Sequence, residues 1–307
     1  MAPASARPQH PARRRIDGVL LLDKPSGISS NAALQRAKRL YAAEKAGHTG
    51  TLDPLASGLL PLCFGDATKY AQALLDARKE YVAAIRFGIA TTTGDAEGEA
   101  LTECPVAFSR ADLEGVLPRF IGAIRQVPPR HAALKHRGRS YYEYARAGVE
   151  IDRAPREIEI EAIEIVDWAP PVATLRVSCG KGTYIRVLAE DLGAAVGSCA
   201  HLAALRRTAS GAFTIDGATP LAALEAIDDA EARDALLLPV ETLVASMPRL
   251  DVDDRDANAL LRGRALTAGE NPPAPGRYRC HAPSRFLGMV DVADGFIRPL
   301  RMTRFEG

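Results

Sequence analysis

The sequence has no apolar run approaching the roughly 18–20 residues that a helix needs to cross a bilayer. Its opening stretch, MAPASARPQHPARRR, lacks the apolar h-region of a secretory signal. Pro3, Pro8 and Pro11 also oppose the amphipathic helix of a transit peptide, so residues 1–15 are expected to form a disordered basic arm on a cytoplasmic protein. Cysteine is scarce: Cys63, Cys104, Cys179, Cys199 and Cys280 are odd in number and contain no CxxC pair. This argues against a disulfide framework and a thiolate zinc site, and predicts buried, reduced thiols. Cys199 with His201, or Cys280 with His281, offers two ligands without a matching second pair, so no metal is expected. Internal repeats are absent, and net charge nearly so, at +1 over 307 residues.

What is present suits a folded protein of one large domain and a small one. The composition is 47% hydrophobic and 25% charged, ordinary for a globular chain. The neutral total conceals a gradient. Residues 119–156 carry nine Lys/Arg against three acids, a local balance of +6, which leaves −5 for the remainder. His131, His136, Tyr141, Tyr142 and Tyr144 are interleaved with those cations. A charge run alone is usually a solvated face; cations mixed with flat rings suit irregular RNA better than duplex DNA.

Strand and helix signals alternate without a regular βαβ rhythm, predicting an α+β fold with a mixed, largely antiparallel sheet flanked by helices. DGVLLLDKPSG reads as a buried strand ending in a Pro-Gly turn, after which Ser29 or Ser30 caps a helix through Leu40. GLLPLCFG is a second strand, Asp66 is placed to cap a helix to about Arg78, and Tyr81–Ile89 alternates as a third strand. Ser109 opens a helix, and Ser140 with Glu143 fits a capping box on a short helix ended by Gly148. REIEIEAIEIVDW alternates over ten positions as a half-exposed strand; TLRVSCG, a helix from about Thr183 to Ala195, and the strand LRRTASGAFTI follow. The expected organisation is a main domain at 16–247, with an insertion at about 125–153, and a small β-rich domain at 248–307.

The chemistry concentrates in GHTGTLDPLASGLLPL, residues 47–62, where three glycines and a proline within twelve residues dictate an irregular, tightly turned backbone. His48, Thr49, Thr51, Asp53 and Ser57 are held there among Leu52, Leu55, Leu59 and Leu60, the arrangement of a preorganised site. An isolated Asp-Pro is ordinarily only a turn. Context changes that reading.

The segment resembles the second motif of the TruB family of tRNA pseudouridine synthases. DGVLLLDKPSGISS resembles the family's first motif, and GDATKYAQALLDARKEYVAAIRFGIATTTGDAEG follows in order. QVPPRHAALKHRGRSYYEYARAGVEI is similar to the RNA-gripping insertion of bacterial members, and SCGKGTYIRVLAEDLG with HLAALRRTASGAF to the later motifs. The likeness is dense from 17 to about 220 and loose in the tail, which resembles a PUA-like RNA-binding module with only a slight basic excess. Two features depart from the family pattern, the basic arm before Arg15 and His131 within the insertion.

The resemblance implies isomerisation of the T-loop uridine at position 55 of tRNA to pseudouridine, without a cofactor. It implies Asp53 as nucleophile, Arg186 as its partner, and Tyr81 stacking on the flipped uracil and serving the final C5 proton transfer. A guanidinium beside Asp53 should favour its charged form and oppose the upward shift that burial causes. His48, Tyr184 and Leu205 are implied to contact substrate, and Lys24, Pro25 and Lys69 to orient the catalytic loop. Arg130, Lys135, Arg137 and Arg139 are expected on the RNA backbone. The expected partner is the tRNA T-arm, with no guide RNA, no membrane and a monomeric chain. A non-catalytic RNA-binding or tRNA-folding protein is the alternative. Gly180-Lys181-Gly182-Thr183 fails as a phosphate-binding loop, since Gly182 replaces the hydroxyl residue and the upstream glycine is missing. No second carboxylate near Asp53 is evident.

Overall fold

The structure is a computed structural model that describes residues 13–304 apart from His131, Ala133, Arg137, Glu270 and Asn271. A ten-stranded mixed sheet forms the body. Its path runs Thr219–Pro220, Gly18–Lys24, Ser57–Phe64, Ala200–Ser210, Lys79–Phe87, Val172–Cys179, Arg156–Ala169 and Gly122–Gln126. Only Gly18–Lys24 with Thr219–Pro220 and Ala200–Ser210 with Ser57–Phe64 pair in parallel, so the expected largely antiparallel sheet is the one observed. Lys79–Phe87 lies near the middle, paired with Val172–Cys179 on one side and Ala200–Ser210 on the other. Its period-2 pattern puts Tyr81, Ala83, Ile85 and Phe87 into one core with the buried face of the helix Ile185–Ala195.

Local signals decide most boundaries. The helix Ser30–Leu40 starts where Ser29 accepts from Ala32 N–H, and Arg110–Val116 starts at a complete Ser109/Asp112 capping box. Asp66 departs from expectation. It caps no helix; the chain forms a 3₁₀ turn, Gly65–Lys69, before the short helix Ala71–Asp76. Asp66 instead accepts the backbone N–H of Arg304 and pairs with Lys69, because the C-terminal segment returns to cover it.

The tail forms a separate five-stranded sheet with the helix Asp254–Leu261 packed on a core of its own. Phe286, Met289 and Leu300 from this sheet join Val19, Leu59 and Tyr70 of the body in a shared apolar cluster. The two sheets are therefore packed together rather than tethered. Of the basic arm, residues 1–12 lie outside the described residues, while Arg14 is docked by Asp234 and the Tyr41 carbonyl. The cysteine expectation needs correction. Cys63, Cys179 and Cys280 are buried free thiols, but Cys104 and Cys199 form a disulfide across 95 residues, joining the end of the hairpin 89–103 to the start of Ala200–Ser210. Folding brings their Cα atoms to 5.7 Å, a proximity that motif spacing does not encode.

Candidate active site

The Asp53 loop links the strands Ala46–His48 and Ser57–Phe64. Both neighbours of Asp53 are tied down. Ser30 Oγ accepts from Leu52 N–H at 2.7 Å and donates to the Leu52 carbonyl at 2.9 Å, while Gly27 N–H donates to the Pro54 carbonyl at 2.8 Å. Lys24 holds that Pro-Ser-Gly turn from below, donating to the carbonyls of Pro25 and Ile28 at 2.9 and 2.7 Å. Gly58 is required at the loop's exit. Its φ is +101°, and a Cβ there would lie 2.3 Å from the Arg207 carbonyl.

Asp53 opens into a cavity of about 260 Å³ lined by Tyr81, Tyr184, Arg186, Leu202, Leu205 and Arg207, with Ala132 of the insertion at its edge. That is smaller than the roughly 300 Å³ at which pockets for drug-sized ligands begin, and suits one nucleoside. A larger cavity of about 630 Å³ is lined by Arg130, Tyr141, Tyr144 and Arg153 of the insertion together with Thr92, and Asp53 is not part of its wall.

Arg186 Nε stands 3.0 Å from Asp53 and 3.7 Å from Asp95, and its Nη1 donates to the Thr93 carbonyl at 3.2 Å. A cation in the first turn of the helix Ile185–Ala195 opposes the helix dipole, and two carboxylates offset that cost. The Arg186 side chain is 6% exposed and that of Asp53 40%, so the pair has a buried cation and an acid that reaches the cavity. Burial pushes the Asp53 carboxyl above its ordinary value, and Asp95 adds to the rise. Arg186 and Lys24 pull it down, as a neighbouring guanidinium should, yet burial prevails. Burial likewise lowers the Lys24 ammonium to about 8, against the opposing pull of Asp53 and Glu97.

Five of the predicted residues, Asp53, Arg186, Tyr81, Tyr184 and Leu205, thus share one cavity. Lys24 and Pro25 lie beneath the Asp53 loop. Lys69 does not reach that loop; it pairs with Asp66 and donates to the Met302 carbonyl at 2.9 Å, bonding the body to the tail. His48 lies opposite Leu62 where the strand Ala46–His48 pairs with Ser57–Phe64, and it is not among the lining residues. Its Nδ1 is buried without a hydrogen-bond partner among the described residues, and burial beside Arg207 lowers its pKa. Arg130 is exposed and bonded to Glu150 at 2.7 Å; Lys135 and Arg139 lie on a two-stranded hairpin, and Arg137 lies outside the described residues.

Four contributors escaped the sequence reading. Asp95 supplies the second carboxylate; it accepts from the Thr93 hydroxyl and from Glu97 N–H. Ser30 was read only as a cap. Gln126, 2% exposed, clamps Tyr184 through both its backbone N–H and carbonyl. Arg207 is 1% exposed behind Tyr81. In sequence, Asp95 signals only the turn of GDAEG, and the other two carry no signal of their own. Lys181 is bonded to Asp76 at 2.8 Å, an exposed ion pair rather than a phosphate grip.

The family model "TruB family pseudouridylate synthase (N terminal domain)" matches residues 38–185, and "tRNA pseudouridylate synthase B C-terminal domain" matches 186–245. A tRNA pseudouridine synthase B of Thiobacillus denitrificans is 53% identical over 293 residues, covering 95% of this chain and 97% of that protein. The chain belongs to the TruB family. Another TruB relative, the tRNA pseudouridine synthase B of Cupriavidus pinatubonensis, is 51% identical over 98% of both chains. Among solved structures, a chain of a Cbf5-Nop10-Gar1 complex superimposes with a TM-score of 0.68 at 28% identity, over 90% of this chain and 78% of its own. In this TruB family member Asp53 and Arg186 stand on the two sides of the boundary between the two family models, so the ion pair joins both matched segments.

Proposed function

We propose that this chain converts the uridine at position 55 in the tRNA T-loop to pseudouridine, acting as a monomer without guide RNA or cofactor. The observation that carries this reading is the Asp53–Arg186 pair, 3.0 Å apart, facing a nucleoside-sized cavity walled by Tyr81 and Leu205. The target uridine leaves its stack to enter, since its sugar is inaccessible within a folded loop. Asp53, ionised against Arg186, acts on the ribose, by attack at C1′ or by abstracting a proton to give a glycal. Both routes break the N1–C1′ bond and leave uracil in the cavity. Tyr81 stacks on the ring, Leu205 packs against it, and Tyr184 bounds it beside Arg186. The base turns and rejoins the sugar through C5, aided by confinement with its partner. The base gives up its C5 proton and gains one at N1, so its composition and oxidation state are unchanged and no redox partner is required.

His48 holds the T-loop after flipping from its place outside the cavity. Arg130, Lys135, Arg137 and Arg139 take the RNA backbone, and the tail sheet is a second module for RNA contact. The test is tritium release from T-loop RNA labelled at uridine C5, without added cofactor. Release by the wild type, lost in Asp53→Asn with RNA affinity kept within a few-fold, is the expected result. Equal loss of affinity and turnover supports instead an RNA-binding protein in which Asp53 is structural.

A further inference from the structure

Gln126 ends the edge strand Gly122–Gln126 and is the foot from which the insertion departs. The chain returns at Arg156, opposite it on the neighbouring strand, and Arg153 bridges the two ends by donating to the Pro128 carbonyl at 2.8 Å. Between those feet the insertion brings Ala132 to the wall of the Asp53 cavity. Gln126 is buried, and a buried primary amide needs partners for both its oxygen and its NH2 group. One residue 58 positions away supplies both: Oε1 accepts from Tyr184 N–H at 3.0 Å, and Nε2 donates to the Tyr184 carbonyl at 3.4 Å. Tyr184 is the N-cap of the helix Ile185–Ala195, and its own side chain makes no capping bond. Its carbonyl also accepts from Leu188 N–H at 3.1 Å, which closes the helix's first turn. In a capping box, a glutamine within the helix reaches back to the N-cap N–H; here Gln126 does so from a distant strand. Arg186 follows two residues later, so the clamp fixes the backbone from which its side chain reaches Asp53.

We propose that Gln126 is a positioning residue for the isomerisation: from the foot of the insertion it fixes the start of the helix Ile185–Ala195, and thereby the register of the Arg186 guanidinium against Asp53. This rests on the function proposed above. Gln126 is not part of the cavity wall and acts only through Tyr184 and Arg186. Because it also roots the insertion, the seating of RNA there and the geometry of the ion pair share one side chain. The charged and titratable groups facing Asp53 are Arg186, Asp95, Lys24 and Glu97, with the phenols of Tyr81 and Tyr184. Tyr184 is faced in addition by Arg156 and Tyr141. Of the cations, only Arg186 is carried on the clamped turn. Its displacement weakens the pull that opposes the upward shift of the Asp53 carboxyl.

The test compares wild type, Gln126→Met and Gln126→Asn in single turnovers across pH, with enzyme in saturating excess over labelled T-loop RNA. Methionine matches glutamine in length and carries no amide; asparagine keeps the amide on a side chain one methylene too short to reach Tyr184. Both substitutions are expected to lower the rate constant about 10–100-fold, the scale of a misplaced catalytic group, with the Kd for RNA within a few-fold of wild type. The acid limb of the pH–rate profile should move to higher pH, because Asp53 beside a displaced Arg186 holds its proton more tightly. An amide that only stabilises the fold would lower the thermal midpoint and the reaction amplitude, leaving the rate constant and the acid limb of the folded fraction unchanged. That result overturns the proposal. So does a rate loss with an unmoved acid limb, or an affinity loss as large as the rate loss. Should Gln126→Met fail to fold, Gln126→Asn carries the same expectations. Wild type that forms no pseudouridine refutes the proposed function itself, a result distinct from an active wild type whose acid limb neither substitution moves.

Discussion

The Asp53 loop and the basic insertion hold their charges by opposite means. Around Asp53, few charges are present and nearly all are desolvated: Arg186, Arg207 and Lys24 are buried, and Ser30 and Gly27 fix the backbone on either side of the acid. In the insertion the described cations Arg139 and Arg146 are exposed; Arg130 and Glu150 are 63% and 81% exposed in their side chains, where an ion pair contributes about 0–1 kcal/mol. A site that makes and breaks bonds needs fixed dipoles in a low-dielectric setting. A surface that meets a polyanion gains from counterion release, which requires number more than geometry. Single substitutions should therefore act sharply in the first region and gradually in the second.

The largest expected effect is complete loss of turnover on acidification. Burial raises the Asp53 pKa, so the carboxylate to which the proposed chemistry is assigned is protonated as pH falls through a value above the ordinary 3.8. For stability the sign is the reverse: the ionised acid costs folding energy that is absent below the unfolded pKa and complete above the folded one. A pH–rate profile whose acid limb sits at or below 3.8 would break the contrast. Next is Asp95→Asn. Removing one carboxylate from the buried Arg186 should cost about 3 kcal/mol in denaturant unfolding. Asp53 alone then neutralises the guanidinium, and turnover should fall with RNA affinity little changed.

Ser30→Ala leaves Leu52 N–H and its carbonyl without their shared partner. About 1–3 kcal/mol of stability should go with it, and a displaced Asp53 should slow single-turnover chemistry about tenfold or more. The smallest effect belongs to Arg139→Ala. It is expected to weaken RNA binding a few-fold and flatten the log–log salt slope by about 0.7–0.9, with saturating RNA restoring the rate. An unchanged slope would remove Arg139 from the RNA surface.

Much of this was legible beforehand because its determinants are local. Ser29 starts its helix through one hydrogen bond to a residue three positions on, and Ser109 with Asp112 does the same. The alternation in REIEIEAIEIVDW became the longest strand, Arg156–Ala169. The resemblance to the TruB motifs implies one site for Asp53, Tyr81, Tyr184, Arg186 and Leu205, and the five line one cavity. Asp66 and Lys69 were misread for a reason of distance. Their partners, Arg304 and Met302, lie at the far end of the chain, and nothing in GDATK announces them.

The sequence by itself determined the elements, the family and the acid on which the proposed chemistry turns, since propensity, capping and motif spacing act over a few bonds. Only the tertiary structure decided that Asp95 shares Arg186 with Asp53, that Gln126 clamps Tyr184, that Arg207 backs Tyr81, and that Cys104 meets Cys199. These contacts depend on which strands become neighbours. A buried charge takes its meaning from the groups that exclude water around it, and those groups come from every part of the chain.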